Sequence, residues 1–235
     1  MSDLDIRAFT VGPVAENTYV VRAGASTSPA VIVDPGDEPE RLLAAVEALG
    51  AKLEAILLTH CHFDHIGAVA PVAQATGAPV YCPRIEQPVL ADVMRWVPPG
   101  FGPFESYEAD HLLAGGERLS LAGLDVAVIF TPGHSPGHLT YAISPADAEP
   151  PTGPVLLSGD VLFQGSVGRV DLPGGDWPTL ERSIGGLLEA FADETVVYPG
   201  HMGVTTLGRE RLTNPFLREL ALAKAPTQGA GAARR

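Results

Sequence analysis

Three histidines and a carboxylate stand within the six residues His60-Cys61-His62-Phe63-Asp64-His65. Imidazole and carboxylate are the donors a borderline divalent ion such as zinc prefers, and clustering them shortens the loop needed to gather them. The same grammar recurs three more times. Val128-Ile129-Phe130 runs into Thr131-Pro132-Gly133-His134, Val155-Leu156-Leu157 into Ser158-Gly159-Asp160, and Val196-Val197-Tyr198 into Pro199-Gly200-His201. Each apolar run ends in small or turn-forming residues and then presents one His or Asp. Glycine allows a tight turn and a close approach to a ligand, which accounts for its place before three of the four. Any one such histidine is most simply a satisfied core or loop residue. Four repeats of one pattern are not explained that way.

If the four strand ends meet at one edge, they gather His60, His62, Asp64, His65, His134, Asp160 and His201. One ion in a catalytic site takes three protein ligands and keeps a position open. Seven groups therefore suit two ions. The natural partition puts His60, His62 and His134 on one, and Asp64, His65 and His201 on the other. Asp160, with two oxygens, would bridge them. Water held between two such ions is expected to ionise near neutral pH and act as the nucleophile. Asp64 would both ligate and orient that metal-held hydroxide, so no Ser or Cys nucleophile is required.

The elements that must position these groups are legible from periodicity. Ile6 to Val11, Tyr19 to Ala23 and Ala30 to Val33 read as an antiparallel meander, followed by a helix over Pro39 to Leu49. Ala55 to Leu58 is a buried strand delivering His60. A helix is expected over Ile66 to Ala75, a strand over Pro79 to Tyr81, and a helix over Arg84 to Arg95. Trp96 to Tyr107 is a Pro/Gly/aromatic loop. In the second half, Arg118 to Leu121 and Leu124 to Phe130 form a hairpin about Ala122-Gly123. Strands at Leu139 to Ile143, Val155 to Leu157 and Thr195 to Tyr198 alternate with helices over Leu180 to Phe191 and Leu207 to Leu220. This duplication suits an α/β arrangement of two packed sheets with helices outside. Residues 1–224 read as a single domain and 225–235 as a disordered tail.

The chain has 235 residues and a formal charge of −13, which disfavours a nucleic-acid backbone or an anionic membrane as partner. No apolar run approaches the roughly 18 to 20 residues of a membrane span, and the first residues are acidic, unlike a signal peptide. Two cysteines make no disulfide framework. A cytoplasmic protein acting on a small molecule is the expectation, with the oligomeric state left open.

These residues resemble the metallo-β-lactamase superfamily of hydrolases. Its HxHxDH signature stands at His60 to His65, followed by Thr131-Pro132-Gly133-His134, Gly159-Asp160 and Gly200-His201. Likeness extends from Glu16-Asn17-Thr18-Tyr19 and Val33-Asp34-Pro35-Gly36 to Thr213-Asn214-Pro215-Phe216. It implies a four-layer αβ/βα sandwich with a two-metal site at one edge. Within the superfamily, Gly159-Asp160-Val161-Leu162-Phe163 and the run Gly165 to Asp176 look most like the short bacterial glyoxalase II-like (hydroxyacylglutathione hydrolase-like) proteins. That group hydrolyses thioesters such as lactoylglutathione. The glutathione-specific enzymes usually carry Lys and Tyr where this chain has Arg169 and Asp171, and a C-terminal helical extension that is missing here. The expected cofactors are two divalent ions, zinc first, with iron or manganese possible.

Arg169 is the candidate anion-docking group, since guanidinium grips carboxylates bidentately. A salt bridge to Asp171 is the equal alternative. Asp34 is a candidate to hydrogen-bond the ligand loop, His138 a supporting residue, and Cys61 a packing residue. The rival activity is that of the related iron-dependent persulfide dioxygenases, which share the first signature. A non-enzymatic metal-binding protein is the third reading and would predict a lost ligand.

Overall fold

The computed structural model describes residues 4–147 and 153–217. The expected tail at 225–235 and the last residues of the helix expected over Leu207 to Leu220 lie outside the described residues. In chain order the elements are β1 (Asp5–Val11), β2 (Glu16–Arg22), β3 (Pro29–Val33), α1 (Pro39–Ala48), β4 (Lys52–Leu57), α2 (Phe63–Ile66), α3 (Val69–Thr76), β5 (Val80–Pro83), α4 (Gln87–Leu90) and β6 (His111–Leu113). There follow β7 (Arg118–Leu121), β8 (Leu124–Phe130), β9 (Leu139–Pro145), β10 (Val155–Gly159), β11 (Leu162–Phe163), β12 (Ser166–Val167), α5 (Trp177–Ala190), β13 (Val196–Pro199), β14 (Thr205–Thr206) and α6 (Leu207–Thr213).

Two six-stranded sheets form, ordered β1-β2-β3-β4-β5-β6 and β14-β13-β10-β9-β8-β7, with β11-β12 as a separate hairpin. The strand period of two divides side chains between layers. Val31 and Val33 of β3 pack with Leu57, Leu124, Val126 and Tyr141 between the sheets. Ala30 and Ile32 face Leu42, Val46, Val69 and Val72 of α1 and α3. On the opposite side Leu156 and Val197 meet Leu180, Ile184 and Leu187 of α5. The result is the αβ/βα sandwich. Each fully buried Val, Leu or Ile side chain contributes about 1.5–3 kcal/mol by leaving water.

Strands β3 to β6 run parallel to one another, as do β10 and β13. The loops that follow β4, β10 and β13 meet at one edge, where Asp160 lies 3.4 Å from His65 and 3.6 Å from His201. The hairpin between β7 and β8 turns at Ala122 (φ 54) and Gly123 (φ 74), the positive pair a tight two-residue turn requires.

Three helices differ from expectation, the one expected over Leu207 to Leu220 because α6 ends at Thr213, where Asn214 turns extended (ψ 121). The segment from Ile66 to Ala75 is split, because Gly67 presses against the Gly36 carbonyl and the Ala68 N–H leaves the helix to bond the Pro35 carbonyl at 3.0 Å. Arg84 to Arg95 holds only α4 and a short 3-10 turn at Val93–Arg95. There the Tyr107 N–H bonds the Leu90 carbonyl, and Ser106 Oγ accepts the Val93 N–H. Those long-range bonds occupy groups that a continuous helix would have used.

Candidate metal centre

Four strand ends supply the centre. Leu57 closes β4 and the chain continues through Leu58-Thr59 into His60; β8 leads into His134, β10 into Asp160 and β13 into His201. Glycine has distinct duties at these turns. Gly133 (φ 134) and Gly159 (φ 47) adopt backbone conformations that favour glycine. At Gly200 the constraint is room, for a Cβ there would lie 2.3 Å from Asp160 Oδ1 and 2.7 Å from His65 Cε1.

The structure brings all seven candidate ligands together. His60, His62 and His134 form one group and Asp64, His65 and His201 another, the donor atoms of each lying within 4.8 Å of one another. In the first group the nitrogens form a triangle: His60 Nε2 to His62 Nδ1 3.1 Å, His134 Nε2 to His60 Nε2 3.2 Å, and His134 Nε2 to His62 Nδ1 2.8 Å. Tetrahedral coordination with bonds of about 2.0–2.1 Å spaces nitrogens about 3.3 Å apart, close to this triangle. Asp160 reaches both groups. Its Oδ1 lies 3.4 Å from His65 Nε2, and its Oδ2 lies 3.4 Å from His134 Nε2 and 3.6 Å from His201 Nε2.

Tautomers are fixed from behind. Asp34, at a left-handed φ of 48, accepts the Thr59 N–H at 2.7 Å, the Thr59 hydroxyl at 2.6 Å and the His65 Nδ1–H at 3.0 Å. With its proton given to Asp34, Thr59 Oγ1 accepts from His60 Nδ1 at 3.0 Å. His134 Nδ1 donates to the Arg169 carbonyl at 2.7 Å, and His201 Nδ1 to the Ala15 carbonyl at 3.2 Å. Each ring thus spends its Nδ1–H outward and turns Nε2 inward, where its lone pair would serve a metal. His62 alone faces the centre through Nδ1. His138 supports from below: its Nε2 accepts the Asp160 N–H at 3.0 Å, and its Nδ1 meets the Thr131 hydroxyl at 3.1 Å.

Among the described residues three buried side-chain polar atoms have no hydrogen-bond partner, and two of them, His65 Nε2 and Asp160 Oδ1, face each other here. Unpaired buried polar atoms are costly. A divalent cation between them would satisfy both, so the donor set fits metal. Electrostatics divide the groups. Burial, then the neighbouring His65, His62 and His134, push His60 well below the usual histidine range. Burial, followed by His134 and His65, takes His62 down to about 4. For His65 burial acts downward, but Asp160 and Asp64 outweigh it and hold the ring well above its ordinary value. His201 is likewise raised: burial acts downward, but the contact with Asp64 and the charge of Asp160 together outweigh it. Asp64 and Asp160 sit below the usual carboxylate range despite burial, held there chiefly by His65. Positive charge is favoured at the Asp64–His65–His201 end.

Other residues fall differently. The Arg169 guanidinium is exposed and paired bidentately with Asp171, at 2.6 and 2.7 Å, so it is the Arg169 carbonyl that joins the centre. Cys61 turns into the core, its Sγ 3.6 Å from that of Cys82. Phe101 meets Phe63 of the signature at a tilt, ring centres 4.7 Å apart, and Phe104 stacks on it at 6.3 Å. Sequence reading missed Asn17 and Tyr19 as supports. Asn17 Nδ2 donates to the carbonyls of Pro199 and Met202, and the Tyr19 hydroxyl to that of Pro199. Their only signal was that Glu16-Asn17-Thr18-Tyr19 lies in the stretch that resembles the superfamily. No helix among the described residues is long and apolar enough to cross a membrane.

Comparison with known proteins agrees with this geometry. A family model described as the metallo-beta-lactamase superfamily matches residues 11–201. The hydroxyacylglutathione hydrolase GloC of Haemophilus influenzae is 36% identical over 191 residues, covering 80% of this chain and 87% of that protein. The structure of BLEG-1 B3 metallo-beta-lactamase is 38% identical with a TM-score of 0.81, covering 91% of this chain and 99% of that one. TTHA1623 in a di-iron-bound form is 40% identical with a TM-score of 0.68, covering 90% and 100%. From these matches, and from ligand loops that place seven donors at one edge of paired sheets, the chain belongs to the metallo-beta-lactamase superfamily.

Proposed function

We propose that this protein is a two-metal hydrolase that cleaves a thioester of the hydroxyacylglutathione kind, with water as nucleophile. The observation that carries the reading is the convergence of inward lone pairs on two adjacent groups with Asp160 between them. His60, His62 and His134 would hold one ion, Asp64, His65 and His201 the other, and Asp160 both. Two bound divalent ions lower the pKa of water and polarise an acyl oxygen. We assign zinc on the donor set, while the di-iron form of TTHA1623 makes iron the alternative to measure.

The chain's own residues divide the remaining work. Asp64, ionised and partly open to solvent, would hold its ion through Oδ2, the oxygen facing His65 and His201, and would orient the attacking water as a hydrogen-bond acceptor. Hydroxyl and thiol side chains near the centre are otherwise engaged: Ser135 Oγ donates to Glu86, Ser158 Oγ to the Leu162 carbonyl, and Cys61 lies in the core. That supports water rather than a side chain as nucleophile. Arg169 would dock a substrate carboxylate by exchanging it for Asp171.

Thiol release from lactoylglutathione, measured beside metal content, tests the proposal. Release that disappears on chelation and returns with zinc is expected. Two bound ions with no thiol release, together with β-lactam opening or with oxygen uptake on a glutathione persulfide, would reassign the activity.

A further inference from the structure

Glu86 is a carboxylate, 4% exposed, beside a solvent-facing neighbour, Ile85 (56% exposed). It directly precedes the four-residue helix α4, yet its side chain turns inward. Oε2 accepts the Cys61 N–H at 3.1 Å. Oε1 accepts the Ser135 hydroxyl at 2.6 Å and the Gly137 N–H at 2.8 Å. Cys61 lies between His60 and His62; Ser135 follows His134. One side chain therefore ties the ligand loop after β4, in the first sheet, to the ligand loop after β8, in the second. Gly137 is shaped for it, since a Cβ there would lie 2.5 Å from Glu86 Cγ.

All three partners of Glu86 are neutral donors, so its charge is oriented but not cancelled. Apart from Asp160, which both groups share, the three imidazoles bring no negative charge of their own to a cation, whereas the other group also contains Asp64. A buried anion held in the loops that carry those imidazoles lowers the energy of a cation among them, because interaction across a low-dielectric interior is weakly screened.

We propose that Glu86 is a positioning residue of the three-histidine ion: it locks the His60–His62 loop to the His134 loop and adds negative charge behind a ligand set whose one carboxylate, Asp160, is shared with the other ion. The proposal rests on the two-metal reading above.

The test uses the full chain with Zn2+ as probe and a chromophoric chelator as competitor. A His201→Ala background disables the other group, so the remaining equivalent reports the three histidines. Glu86→Gln keeps the shape and removes the charge. It is expected to weaken that equivalent about 10- to 100-fold, and to shrink the rise in Tm on zinc binding more than it lowers the Tm of the zinc-free protein. An unchanged chelator midpoint, with zinc-free and zinc-loaded Tm falling equally, would make Glu86 a purely structural brace and overturn the proposal. Ser135→Ala removes one of the three bonds but keeps the charge. It should weaken the same equivalent only a few-fold, and an unchanged midpoint there counts against positioning even if Glu86→Gln fails to fold. A wild-type protein that takes up no zinc would instead remove the functional reading itself.

Discussion

The two ligand groups at the sheet edge are built on opposite principles. His60 and His134 are almost wholly buried and bound to loops that Asp34, Thr59 and Glu86 pin from behind. In the other group, His65 is buried, but the side chains of Asp64 and His201 are 15% and 20% exposed. His201 sits on a turn whose next residue, Met202, holds a left-handed φ of 68 and is 57% exposed. Such backbone is uncommon for a residue with a side chain and persists where surroundings over-determine it. Here Asn17 and Tyr19 do so across the sheet interface. The closed group is suited to gripping an ion. The open, charged one is suited to presenting water and to moving a proton.

Asp64→Ala should strike that division hardest. Removing the only carboxylate confined to the open group is expected to lower kcat for thioester hydrolysis about 10³-fold, measured as thiol release at saturating zinc. An equal loss from His62→Ala at saturating zinc would show that the two groups share the proton chemistry.

Acidification should separate the groups next. Protons compete for a ligand nitrogen once pH falls toward its pKa. In the metal-free protein His65 and His201 are raised, chiefly because Asp160 and Asp64 outweigh burial, whereas burial takes His62 down to about 4. On lowering pH, the Asp64–His65–His201 ion should therefore leave first. The three-histidine ion should persist to lower pH. Metal content followed by dialysis across pH 8 to 4 checks this, and simultaneous release of both would break the contrast.

Asn17→Ala should act more gently, by loosening the turn at residues 199–202. The expected result is about tenfold weaker binding of the second ion, with the three-histidine equivalent unchanged in the same chelator titration. Smallest of all is Arg169→Ala. Its guanidinium pairs with Asp171 in solvent, so Tm should not move. A rise in KM confined to carboxylate-bearing thioesters would establish it as the anion-docking group, while equal KM values for neutral and anionic substrates would leave only the Arg169 carbonyl in the centre.

Much of this was readable in the chain because chemistry and local geometry coincide. Strand alternation sorts Val31 and Val33 from Ala30 and Ile32, and the four strand ends each announce a ligand with a turn residue. Helix boundaries around Gly67 and Asp92 were not readable. Bonds from Pro35, Ser106 and Tyr107, distant in sequence, decide them. Glu86 carried no signal either, for an isolated Glu before a short helix looks like a solvated one.

By itself, then, the sequence determined the donor set, its order on the strands and the layered α/β frame, all of which follow from residue type and period. Only the tertiary structure decided which nitrogen of each histidine faces inward, that Asp160 reaches both groups, and that Arg169 is committed to Asp171. Those depend on hydrogen-bond partners as much as 186 residues apart, His201 and Ala15 among them, which spacing along a chain does not encode.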